Sequence, residues 1–121
     1  ETFLIGDIPV TPFYVMHRFL PIYGYRMGRF AYITDMKTIG DKDRSCLEGV
    51  ETLVVNALRF DDDHLAHMLV EEAVEFSESI GARRTYFVHV AHEIGLHDEA
   101  CSRLPDGFSI AYDGMQVDVE I

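Results

Sequence analysis

At 121 residues, 48% of them apolar, the chain is long enough for one packed domain or part of one, and it lies well outside the disordered range. Its 21 acidic residues against 10 basic give a formal charge of −11, which argues against a nucleic-acid-coating role, because neutralising phosphates needs clustered Lys and Arg. Cys46 and Cys101 form no C-x-x-C pair, so they point to neither a zinc knuckle nor a disulfide framework. Two reduced thiols fit a cytoplasmic protein, no run approaches the ~20 apolar residues of a membrane span, and no signal peptide precedes the first strand.

The chain opens on Glu1 and enters the strand-like run Thr2–Ile5 almost at once, which raises the expectation of a piece of a larger protein. Ile8–Met16 reads as a second strand; Pro9 and Pro12 cannot donate to a ladder, so it should be an edge or a kinked strand. Leu20–Arg26 and Arg29–Thr34 flank Met27-Gly28, a hairpin signal. The polar stretch Thr38–Glu48 predicts a short helix with Asp41 or Asp43 as N-cap. Thr52–Ala57 is a nearly continuous apolar run, the pattern of a strand covered on both faces.

The strongest helix signal covers His67–Ile80. Leu69, Ala73, Phe76 and Ile80 step by four, three and four onto one face, and Gly81 is placed to end it. Arg84–His89 reads as a strand rich in β-branched and aromatic residues. Asp98–Arg103 predicts a short helix stopped by Pro105. Phe108–Tyr112 and Met115–Val119 alternate around Asp113-Gly114, a two-residue hairpin signal. The order predicts a mixed α/β domain with helices on one face of a mixed sheet.

Three of these strands end in metal-capable groups: His17, Asp35 and His89. They would converge if their strands were neighbours, because sheets hold side chains rigidly at one rim. Imidazole and carboxylate suit zinc, manganese or iron, and a carboxylate can bridge two ions. Taken singly, each has an ordinary reading: a hydrogen-bonded histidine at the surface, or Thr34-Asp35 as a turn or N-cap. His64 and His67 lie one turn apart at a helix start, where they could share a metal or a phosphate, or merely cap the helix beside Asp61, Asp62 and Asp63. His92 could contact substrate or donate a proton, and His97 reads as a helix-entry residue.

These residues resemble the C-terminal half of a metallo-β-lactamase-fold hydrolase, in particular the PhnP-type phosphodiesterases. The resemblance is carried by Val10-Thr-Pro-Phe-Tyr-Val-Met-His17, Gly24-Tyr-Arg with Ala31-Tyr-Ile-Thr-Asp35, and Asn56-Ala-Leu-Arg-Phe60. Further along it is carried by His64-x-x-His67 before Val70-Glu-Glu-Ala73, by Phe87-Val-His-Val-Ala-His92, and by the closing Leu104-Pro-Asp-Gly-Phe and Ala111-Tyr-Asp-Gly-Met115. It implies that residues 1–121 form half of an αββα sandwich with two divalent metal ions, zinc or manganese, between the sheets. His17 would bind one ion, His89 the other, and Asp35 would bridge them. His64 would contact substrate phosphate or protonate the leaving group, with His67 and His92 as further substrate contacts. A bridging hydroxide would attack a small phosphodiester.

Such enzymes also carry an H-x-H-x-D-H segment, and none of the six histidines here lies in an H-x-H arrangement. The chain alone is therefore expected to bind metal weakly or not at all and to be inactive. The inner face of its sheet would favour a homo-oligomer or pairing with the absent N-terminal half. The alternative is a non-catalytic α/β module that binds a partner through its exposed sheet. Acyl transfer has little support, because no cysteine or lysine stands in a nucleophilic setting.

Overall fold

The computed structural model describes residues 1–58, 68–90, 97–119 and 121. Seven strands form one sheet in sequence order: β1 (Phe3–Ile5), β2 (Ile8–His17), β3 (Leu20–Met27), β4 (Phe30–Tyr32), β5 (Thr52–Asn56), β6 (Arg84–Val88) and β7 (Phe108–Ile110). The first three pairings are antiparallel and the last three parallel, with the change at β4. Because β2 and β4 are two antiparallel steps apart, β2, β4, β5, β6 and β7 all run the same way and end at one rim.

The prolines act as their chemistry dictates. β2 pairs with β1 only over Ile8–Val10 and with β3 only over Thr11–His17, so each of its residues has one strand neighbour. The rest of its outer edge is covered from elsewhere: the Tyr14 N–H donates to Asp43 Oδ1 (2.9 Å), and Met16 bridges Thr38. Gly24 is required opposite Phe13, since a Cβ there would stand 2.6 Å from that ring.

α1 (Asp41–Arg44) continues into a 3-10 turn at Ser45–Leu47. The expected aspartate cap is corrected: Gly40 holds the N-cap position without a side-chain bond, and Asp41 and Asp43 lie in the first turn. α2 (Val70–Ile80) starts where the Glu72 carboxylate accepts from the Leu69 N–H (2.9 Å) and ends at Gly81, whose φ of +80° suits glycine. Its Val70, Ala73 and Phe76 join Leu53, Val55, Phe87, Phe13, Val15, Ala31 and Ile33 in one buried core, and its Ser77 hydroxyl pairs with that of Thr85. α3 (His97–Ser102) sits beside β7 and adds Ala100 to the same core.

The second arm of the expected C-terminal hairpin does not form. Asp113-Gly114 makes the turn, with Met115 N–H donating to Tyr112 O (3.0 Å), but residues 115–119 pair with no strand. Met115, Val117 and Val119 instead lie with Phe30, Tyr32, Val54, Tyr86 and Val88 around a groove on the face opposite α2, where Arg84 donates to Asp118 O (2.8 Å). Alternation specified one-sided burial, and the apolar sheet face satisfied it without a ladder.

Candidate functional site

The carboxyl rim of the sheet is built by the turn that follows β4. Ile33 N–H donates to Val54 O (2.8 Å), extending the β4–β5 ladder, and Asp35 comes two residues later. Thr34 donates its hydroxyl to Asp35 Oδ2 (2.6 Å), which leaves Oδ1 turned towards His89 Nδ1 at 3.3 Å. Both side chains are partly exposed, so the pair is open to solvent.

His89 directly follows β6 and takes a φ of +58°, the left-handed region that non-glycine residues seldom occupy. Extended backbone would continue the strand past the rim; this turn sets the imidazole beside the carboxylate instead. His17 ends β2, and its neighbour Met16 accepts from Lys37 N–H (2.8 Å) and donates to Thr38 O (2.9 Å). The turn that carries Asp35 is thus fastened to the strand that carries His17. Lys37 reaches on to Glu72 (3.0 Å), joining the turn to the start of α2.

Of the sequence candidates, the structure places Asp35 and His89 in contact and His17 at the end of β2, on the same rim. Among the described residues, no three His, Cys, Asp or Glu side chains gather closely enough to hold a metal ion. His64, His67 and His92 lie outside the described residues. His97 is a helix-entry residue, as its position suggested: Nε2 bonds Ile110 O (2.8 Å) and Nδ1 lies 3.4 Å from Asp98 Oδ1. The Ile110 carbonyl, followed by Asp98, raises its pKa above the ordinary 6.5.

Two contributors escaped the sequence reading. The Thr34 hydroxyl was hidden inside what read as a turn or cap signal. Asn56 read as the tail of an apolar strand, although a carboxamide in such a run was itself the clue, since a buried amide needs partners. Its side chain is fully buried and bonds both backbone groups of Met36.

A family model described as "Beta-lactamase superfamily domain" matches residues 1–90. A curated protein of Porphyromonas gingivalis named octanoyltransferase is 34% identical over 118 residues, which is 98% of this chain and 24% of that protein. Among solved structures, a diphosphatase of the PhnP family superposes with a TM-score of 0.93 at 34% identity, over 100% of this chain and 47% of that one. YhfI of Bacillus subtilis, a metallo-β-lactamase fold protein, gives 0.72 at 20% identity over 95% of this chain and 51% of its own. Zinc-bound PqqB of Methylobacterium extorquens gives 0.78 at 17% over 98% and 53%. The chain therefore spans about a quarter of the curated relative and about half of each solved one, and the last two show shared fold alone. Among the described residues, no helix is long and apolar enough to cross a membrane.

Proposed function

Since the chain belongs to the β-lactamase superfamily domain family, a family of metal-dependent hydrolases, we propose that it supplies one rim of a two-metal site that hydrolyses phosphodiesters. The observation that carries this reading is the 3.3 Å contact between Asp35 Oδ1 and His89 Nδ1 at the carboxyl rim of the sheet. A carboxylate and an imidazole are a fitting donor pair for a divalent ion such as zinc or manganese. Two donors do not fill a coordination shell, so the remaining ligands must come from residues beyond this pair. His17 is the proposed ligand of one ion, His89 of the other, and Asp35 is shared.

The ions would supply Lewis acidity and a hydroxide nucleophile at neutral pH. The residues of this chain have separate tasks. Thr34 fixes one oxygen of Asp35 and so aims the other. The left-handed turn at His89 holds the imidazole against that oxygen. His64 is proposed to protonate the departing oxygen, with His67 and His92 as substrate contacts. The substrate proposed is a small phosphodiester, and the remaining ligands are proposed to come from an H-x-H-x-D-H segment on the other half of the fold. The PhnP-family diphosphatase supports phosphorus as the centre attacked, since this chain spans 47% of it, whereas the equally identical protein named octanoyltransferase is matched over only 24% of its length.

The test is elemental analysis of this chain and of a longer form that includes such a segment, with a nitrophenyl phosphodiester assay on both. Two ions per longer chain and turnover that disappears in Asp35→Asn are expected. A longer form that stays free of metal would remove the reading.

A further inference from the structure

Asn56 does more than end a strand. Its carboxamide is fully buried, its Oδ1 accepts from Met36 N–H (2.7 Å), and its Nδ2 donates to Met36 O (2.8 Å). A primary amide is the side chain that offers an acceptor and a donor side by side, so it can pair with both polar groups of one residue as a neighbouring strand would. Met36 follows Asp35 directly. Met36 O also accepts from Met68 N–H (3.3 Å), and the next residue, Lys37, is bonded to Met16 beside His17.

The other side of Asn56 faces β6. It is in register with Val88, and the following Ala57 N–H donates to Val88 O (3.1 Å), one residue before His89. One residue therefore touches the neighbours of Asp35 and His89, and through Lys37 it reaches the neighbour of His17. We infer that Asn56 is the positioning residue of the rim: its amide locks the turn carrying Asp35 against the strand pair carrying His89, and so sets the distance between the two proposed metal ligands. This inference rests on the metal-site reading above for its function, although the locking itself is a property of the metal-free chain.

The locking has a clear physical cost if removed. An apolar side chain at 56 would leave the N–H of Met36 without its buried partner and its C=O with only the 3.3 Å bond from Met68, and the turn would have to shift to find others. Asp at 56 is nearly the same shape; ionised, it accepts from the N–H but cannot donate to the carbonyl, so the comparison is made at a pH where the new carboxyl is ionised.

The experiment uses Asn56→Asp and Asn56→Leu, with Thr85→Val as control, because Thr85 is another buried polar residue that bonds Ser77 and not the turn. Two readouts are taken on each: backbone amide shifts and hydrogen exchange of the metal-free chain, and manganese(II) titration followed by broadening of the Asp35 and His89 amide signals. The expected result is at least tenfold faster exchange at Met36, displaced shifts at Asp35 and His89, and at least a fivefold loss of manganese affinity in both Asn56 variants. Thr85→Val should keep wild-type affinity even where its unfolding midpoint falls as far. Wild-type shifts and affinity in Asn56→Asp would overturn the inference, as would equal loss of affinity in Thr85→Val. A wild-type chain without manganese broadening matches the weak or absent binding expected of this chain alone, and the metal reading is then decided on the longer form. The amide shifts and exchange then decide the inference alone: displaced values at Asp35 and His89 uphold it, and unchanged values overturn it. Should Asn56→Leu fail to fold, Asn56→Asp carries the comparison.

Discussion

His89 holds a backbone conformation that costs an ordinary side chain about 1–2 kcal/mol, yet it carries an imidazole there. His89→Gly should consequently be more stable than His89→Ala by about 1 kcal/mol, measured by urea unfolding, the reverse of the order expected at a relaxed strand position. Both should lose the contact with Asp35. His97 provides a pH test of a different kind. Its pKa is raised, first by the Ile110 carbonyl and then by Asp98, so the charged form is favoured in the folded chain. That contribution is fully present below the ordinary value of 6.5 and fades as pH rises through the higher folded midpoint. A proton NMR titration should place the His97 midpoint above 6.5, and His97→Gln should flatten the stability difference between pH 5.5 and 8.5. The sequence showed Asp35 and His89 as candidates because strand-end polar groups stand out after apolar runs. Their supports were less legible: Asn56 left only the clue of a carboxamide in an apolar run, its partner Met36 lying twenty residues away, and Thr34, whose partner is the adjacent Asp35 carboxylate, read as a turn or cap.

Among the elements, the central strands were the easiest to read. β5 and β6 are short runs of β-branched and aromatic residues bounded by polar ones, and α2 has both an apolar face and a terminating glycine, so pattern and partner agree. The tail 115–119 was misread because its alternation is real while its partner is a surface rather than a strand. β3 carries a steric condition that alternation does not display: Gly24 lies under the Phe13 ring. Gly24→Ala should cost about 1–3 kcal/mol, since either the ring leaves its rotamer or the two strands part. Thermal unfolding would show it, and a neutral result would mean that Phe13 swings aside freely. Replacing Phe13 by Leu in the Gly24→Ala background should recover part of the loss.

At the scale of the whole molecule, the sheet has two unlike faces. One is sealed by α2, and the other is covered in part by the tail over Tyr86, Val88 and Val54. Val117→Asp should lift the tail at a cost of about 1 kcal/mol for a half-buried valine. It should also increase binding of an apolar dye, while far-UV circular dichroism stays unchanged. The pairing change at β4 has a consequence in time as well as in space. β1 to β4 are joined by tight turns and need only nearby residues to pair, whereas β5, β6 and β7 each wait for a crossover to close. Loop closure must be completed before such distant contacts contribute, so the meander should gain protection first and the parallel strands later. Pulse-labelled hydrogen exchange during refolding should show β2 and β3 amides protected ahead of those of β5 and β6. Asp35 sits at the junction of these two regimes, attached to the early part and meeting His89 only when the late part arrives. A nascent chain halted before β6 would thus present the aspartate with nothing opposite it, and the rim would come into being only with the last stage of folding.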